Sequence, residues 1–313
     1  MRLISATLVV GLLAHGQVPF RSETRVVQVP VTVTNLDGKN VDGLLPGDFL
    51  VLDDGTPRKI TLDTFGSGFA PISLILAIQT SGLSTPALAK IRHIGSLIQP
   101  LVIGARGEAA IVTFDSDIAW IRPFTSDSGS IQTAMKKLRA AGGKQARMFD
   151  AVIEAAETLR DRKGRKVLLV VSESKDRGSS AKPSQVLESI EREGIEVFAA
   201  PYSSASTAWL AKPEDLPPLS GPNFMAVFDE LFRLGRTNHV QAFAQSTGGS
   251  EYPFLRESSL EKAIENFGAE VHSQYILAFP QPEKAAKGMH RIEVSIPTRP
   301  LLKIRARQAY WSD

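Results

Sequence analysis

Two stretches constrain this chain more than any others: residues 72–78 (ISLILAI) and 167–171 (VLLVV), apolar almost throughout. A strand that is apolar on both faces must be covered on both faces, as a central strand between two helical layers is. The rhythm around these runs agrees. Residues 84–99 carry Leu88, Ile91, Ile94 and Ile98 at helical spacing. Residues 109–114 read as a second strand and 117–121 as a short third. Residues 147–160 place Met148, Val152, Ala155 and Leu159 on one helical face. Helices are expected at 183–193, 225–246 and 259–271, and strands at 195–200 and 275–279. Alternating strands and helices with buried strands predict an α/β fold with a doubly wound, mostly parallel sheet.

The chain ends follow a period of two. Val27, Val29, Val31 and Val33 alternate with polar residues, and residues 49–52 followed by Asp54-Gly55 read as a hairpin. Ile292, Val294 and Ile296 alternate likewise, as do Leu302, Ile304 and Ala306 with Lys303, Arg305 and Arg307. Those three basic residues read as a solvated face that discourages edge pairing, with a phosphate- or lipid-binding patch as the other reading. Neither end has enough strands for a stable sheet. The expected organisation is therefore a β-sandwich-like domain from residues 17–68 with 281–313, into which the α/β domain, 69–280, is inserted.

Residues 1–16 read as a signal peptide. Arg2 precedes a 12-residue apolar run, and Ala14-His15-Gly16 offers small residues where a signal peptidase cuts, so the mature chain would begin near Gln17. The run is shorter than the ~20 residues of a spanning helix. Export to a periplasm or to the outside follows, with no transmembrane segment expected in the mature chain. Cysteine is absent, which removes disulfides and thiol chemistry. The balance of 36 Lys plus Arg against 33 Asp plus Glu gives a net charge of only +3. No run of like charge marks a nucleic-acid face.

In an open α/β sheet, ligands bind beyond the carboxyl ends of the strands. The residues there are Gln79-Thr80-Ser81-Gly82-Leu83-Ser84, Asp115-Ser116-Asp117, the loop 142–147, and Ser172-Glu173-Ser174-Lys175-Asp176. Together with VPVTVTNLDGKNVDGLLPGDFLVLDDG, FDAVIEAAETL, QSTGG, SQYILAFP and HRIEVSIP, their order resembles a von Willebrand factor type A (vWA) domain protein. From about Glu23 to Asp313 the chain is similar to the VWFA-related acidobacterial domain group. The resemblance implies a crevice where vWA domains hold a divalent cation through Asp-x-Ser-x-Ser, a Thr and a later Asp. Mg²⁺ requires several such oxygens in octahedral array. Here the first Asp aligns with Gln79 and the first Ser with Ser81. The second Ser aligns with Leu83 (Ser84 lies one step out of register), the Thr with Ala146 and the last Asp with Glu173. One of the two carboxylates and two of three hydroxyls are gone, so the adhesion site is read as degenerate and without metal. Asp115, Asp117 and Asp176 are the residues from which a cation site would have to be rebuilt.

Other chemistry is sparse. The chain has no G-x-G-x-x-G, no Walker loop and no G-x-S-x-G elbow. His93, His239, His272 and His290 are scattered, and Tyr202 and Trp209 read as loop packing. No catalytic residue and no cofactor are expected. The reading is an exported binding module for a protein or other envelope macromolecule, with no nucleic acid as partner. Two alternatives remain open: a hydrolase using Ser81, Glu173 and Asp115, and a structural scaffold of an envelope assembly.

Overall fold

The structure is a computed structural model that describes residues 25–63, 70–202, 238–254 and 256–313. The expected leader, the Pro/Ser-rich loop with Trp209, and most of the helix expected at 225–246 lie outside the described residues.

The fold is mixed α/β, built on a five-stranded sheet. Its strands are β5 (Ile72–Gln79), β6 (Glu108–Phe114), β7 (Ile118–Thr125), β8 (Arg165–Ser172) and β9 (Glu196–Pro201), in spatial order β7-β6-β5-β8-β9. Three of the four pairings are parallel, and β7 joins the edge antiparallel to β6. The central strand β5 is buried at every position. Its side chains alternate between two apolar clusters: Leu74, Leu76 and Ile78 face one, Ile75 and Ala77 the other. On the first side lie α1 (Thr85–Ile91), α2 (Gly95–Ile98), α3 (Ser128–Lys136) and α7 (Glu257–Ser273). On the second lie α4 (Met148–Leu159), α5 (Pro183–Arg192) and α6 (His239–Thr247).

Several boundaries differ from expectation for identifiable reasons. The single helix expected at 84–99 is two, followed by a π-helical turn at Gln99–Ile103. The hydrogen bonds tighten at His93 N to Lys90 O and Ile94 N to Ile91 O. That rewinding keeps Ile91, Ile94 and Ile98 buried while Gly95 meets α3 closely, where a Cβ would stand 2.9 Å from Gln132 Cα. Helix α3 was not expected, because SDSGS reads as loop. Asp127 caps it, accepting from the amides of Gly129 at 3.1 Å and Ser130 at 3.0 Å.

Eight further strands form two four-stranded sheets. In one, β1 (Val26–Thr34) lies between β12 (Lys303–Ala306) and β10 (Tyr275–Pro280), with β4 (Thr61–Asp63) beyond. In the other, β11 (Gly288–Ser295) lies between β13 (Ala309–Ser312) and β2 (Leu50–Asp53), with β3 (Thr56–Pro57) at the edge. Both chain ends contribute to both sheets, which share one apolar cluster including Val29, Val31, Val51, Leu277, Phe279, Ile292 and Tyr310. One expectation is corrected here. Strand β10 was grouped with the α/β unit, but it pairs antiparallel with β1 and β4. Its apolar run serves the strand layers instead.

The solvated reading of Arg305 and Arg307 is also corrected. Arg305 pairs with Glu270 of α7 and donates to Gly248 O at 3.2 Å. Arg307, 2% exposed, pairs with Glu191 of α5 at 3.3 Å and donates to Ile195 O at 2.8 Å. A third buried group, Arg165, holds Glu196 at 2.9 Å and also bonds Gln274, which in turn reaches Thr32 of β1. These contacts tie the strand layers to the α/β unit through buried polar groups as well as apolar ones. Of the expected trio only Lys303 is exposed.

Candidate functional site

The crevice beyond β5, β6 and β8 assembles from three loops tied by backbone bonds. Gly82 N donates to Gly143 O at 2.7 Å, Ala141 N to Thr80 O at 2.7 Å, and Arg147 N to Asp115 O at 2.9 Å. Gly82 is needed there, since a Cβ would stand 3.1 Å from the carbonyl oxygen of Gly143. Ala146 and Arg177 exchange backbone bonds of 2.9 and 2.8 Å, which pins the fourth loop.

At the centre, Gln79 is wholly buried at the end of β5. Its amide nitrogen donates to Ser81 Oγ at 2.7 Å and to Glu173 Oε1 at 2.8 Å. Its amide oxygen accepts from the Glu173 backbone N–H at 3.0 Å. The second oxygen of Glu173 holds Arg177 Nη1 at 3.0 Å. Ser81 lies 3.4 Å from Ser84 Oγ, and Tyr202 donates to Ser84 Oγ at 2.6 Å. Burial pushes the Tyr202 hydroxyl well above the usual phenol range, so it stays protonated as that donor. The structure thus brings Gln79, Ser81, Ser84 and Glu173 together.

The other expected positions are arranged differently. Leu83 points no ligand inward and is 41% exposed at the mouth. Ala146 is fully buried and contributes only backbone. Asp115 accepts from Thr80 Oγ1 at 2.8 Å and from the Asp117 amide at 3.1 Å, which holds its own loop. Asp176 accepts from Phe149 N at 3.1 Å and from Ser179 Oγ at 2.6 Å. Asp150 beside it is half-buried, which pushes its carboxyl up, but the amides of Ser180 and Ala181 and the Arg147 guanidinium outweigh this and hold it below the usual range. Asp117 lies in the same turn as Asp115, where Ser116 Oγ donates to it at 3.1 Å. None of these three carboxylates is directed at Glu173 by the bonds it makes.

One residue of the site, Arg177, was not anticipated, and another, Ser174, was expected in its loop without a role. Arg177 supplies the positive charge beside Glu173, and only their separation of four positions hinted at it. Ser174 sits at φ +63°, in the left-handed region, and its buried hydroxyl has no partner among the described residues. Such strain survives only where the surroundings enforce it, and it gathers at functional sites.

The donor set does not fit a divalent cation. The atom nearest both Ser81 and Glu173 is an amide nitrogen carrying hydrogens, and the one carboxylate is neutralised by a guanidinium. Nor does it resemble a hydrolytic pair: among the described residues, Ser81 Oγ is bonded to an amide and a hydroxyl and to no histidine or carboxylate. The one metal-type grouping among them, Asp53, Asp54 and His290, lies in the strand layers, with Asp53 held by Arg58 at 2.8 Å.

No protein-family model matches the chain, and no curated protein does. Among solved structures it is similar to the conserved hypothetical protein BatB from Bacteroides thetaiotaomicron. That pair is 13% identical with a TM-score of 0.45, over 64% of this chain and 98% of that one. It is also similar to an aerotolerance-related membrane protein from Bacteroides fragilis NCTC 9343, solved with multiple mutations to serines. There the identity is 15% and the TM-score 0.44, over 64% of this chain and 99% of the other. Among the described residues no helix is long and apolar enough to cross a membrane.

Proposed function

We propose that this chain is an exported, non-enzymatic binding module with a vWA-like, doubly wound α/β unit inserted between strands of the two chain ends. It engages a protein or other envelope macromolecule at the crevice, without a bridging metal ion. The observation that carries the reading is the double donation by Gln79. A neutral amide stands between Ser81 and Glu173 and supplies by hydrogen bonds what a cation would supply by charge. Arg177 then neutralises the remaining carboxylate oxygen. Hydrogen bonds tie Gln79, Ser81 and Glu173 of the crevice floor to one another, which leaves Leu83 at its mouth as the apolar contact for a partner. Export rests on Arg2 and the apolar run that follows it.

The test is a pull-down from envelope extract with the chain beginning at Gln17, with and without EDTA, beside Leu83→Glu. Capture that survives EDTA and is lost in Leu83→Glu supports the reading. Capture abolished by EDTA would overturn its metal independence, and capture indifferent to Leu83→Glu would move the binding surface elsewhere. Turnover in a hydrolase screen that is lost in Ser81→Ala would make the chain an enzyme.

A further inference from the structure

At the opposite end of the five-stranded sheet, a cleft of about 360 Å³ separates the α/β unit from the strand layers. One wall comes from the end of α4, the start of β8 and the turn after α5: Arg160, Gly164, Lys166 and residues 191–194. The other comes from β1 and β13: Arg25–Gln28, with Arg307, Tyr310 and Trp311. Five cations line it, Arg25, Arg160, Lys166, Arg192 and Arg307, against two lining carboxylates, Glu191 and Glu193.

The carboxylates are shared out thinly. Glu193 serves Arg160 at 3.0 Å and Lys166 only at 3.8 Å. Asp313, at the rim, serves both Arg25 at 2.7 Å and Arg192 at 2.9 Å, and Arg192 also holds Glu188 at 2.8 Å. The Lys166 ammonium makes its short bond to a backbone carbonyl, Arg160 O, at 2.7 Å. On the deep wall, Arg307 is 2% exposed, and among the described residues its Nε–H finds no acceptor and Glu191 Oε1 beside it no donor. A buried guanidinium N–H without an acceptor is costly unless something enters to accept it. The cationic side chains line one concave space, and at Gly194 a Cβ would stand 3.9 Å from Arg307 Nη1. Burial, with a smaller push from the charge of Arg25, outweighs Glu193 and holds the Lys166 ammonium below its usual range.

We infer that this cleft is a binding site for a small oxyanion, a phosphate or a carboxylate, held by Lys166, Arg25 and Arg307 across the junction of the two units. An oxyanion offers several acceptor lone pairs at once, and charge-assisted bonds from Lys and Arg are the strong ones. The site is distinct from the crevice at Gln79 and does not depend on the function proposed for it.

The experiment is titration calorimetry on the chain beginning at Gln17, with inorganic phosphate and with citrate as separate arms, at constant ionic strength and with chloride as control. Lys166→Met and Arg25→Gln are run in parallel, with circular dichroism confirming that each folds. The expected result is saturable one-to-one binding of at least one anion, weakened at least tenfold in each variant, the responsive arm naming the source. Binding of neither anion above the chloride control would overturn the inference and assign the cleft to water. Binding of equal strength in parent and variants would overturn it too. A second measurement, the thermal midpoint with phosphate or citrate, should rise in the parent and stay flat in Lys166→Met.

Discussion

Replacing Gln79 by Asp turns the central donor of the crevice into an acceptor. Two consequences follow from the distances. The bond of 2.8 Å to the Glu173 carboxylate is lost, and a hydrogen bond to a charged group is worth about 1.5–3 kcal/mol. The new carboxylate, one methylene shorter, faces Glu173 at about 4 Å, where repulsion between unit charges is about 4 kcal/mol at an effective dielectric of about 20. Arg177, bonded to the far oxygen of Glu173, returns about 3 kcal/mol of attraction from about 5 Å on the same scale. The sum is a loss of about 3 kcal/mol, within the range that a broken buried network produces. Urea denaturation in EDTA should show it as a lower midpoint with an unchanged slope. Millimolar Mg²⁺ should then recover part of the loss in Gln79→Asp and do nothing for the parent, because only the variant has a second carboxylate for the ion to bridge. A loss under about 1 kcal/mol in EDTA, or Mg²⁺ stabilisation of the parent, would refute the argument that the amide replaces a cation.

Adding Leu83→Ser, Ala146→Thr and Glu173→Asp to Gln79→Asp should create saturable Mg²⁺ binding by calorimetry where the parent shows none. Burial pushes the carboxyls of Glu191 and Glu251 up to about 8 and about 7. The unfolded chain releases these protons near pH 4.5, before the folded one does, so the stability these two groups contribute is full below that pH and falls as pH rises toward about 8. Denaturation at about pH 5.5 and about pH 8 should show the fall, and Glu191→Gln should flatten it. Gly249→Ala should cost about 2–3 kcal/mol by thermal denaturation, because a Cβ there would stand 2.0 Å from Val197 O. Deleting residues 292–313 removes β12, β13 and the second half of β11. Hydrogen exchange should then find the β1 amides unprotected; continued protection would mean that β10 alone sustains the strand.

What could be read in advance was whatever local pattern decides. The runs at 72–78 and 167–171 became β5 and β8, and α4 and α5 fell within a residue or two of expectation, because an apolar face must be buried wherever it lies. Helix α3 was missed although Ile131, Ala134, Met135 and Leu138 are spaced for it, since its Ser- and Gly-rich start carried the stronger loop signal. Arg305 and Arg307 were misread for a different reason. Alternation along a strand gives their side of the sheet but not what packs against it, and here α5 and α7 do. In the crevice, the substitutions at Gln79, Leu83 and Ala146 were plain in the sequence. The bond from Gln79 to Glu173 was not, because it depends on loops 94 positions apart meeting, and the pairing of Glu173 with Arg177 was hinted at only by their spacing of four.

The joint between α7 and β10 has a mechanical meaning. The helix ends at Ser273 and the strand begins at Tyr275, so one residue, Gln274, connects the longest helix described to the sheet that carries β1. That residue is 3% exposed and bonded to Glu196, Arg165 and Thr32. There is no slack in such a coupling. A tilt of α7 against the five-stranded sheet must be transmitted to β10 and β1 as a displacement of the strands, or else tear the Gln274 bonds.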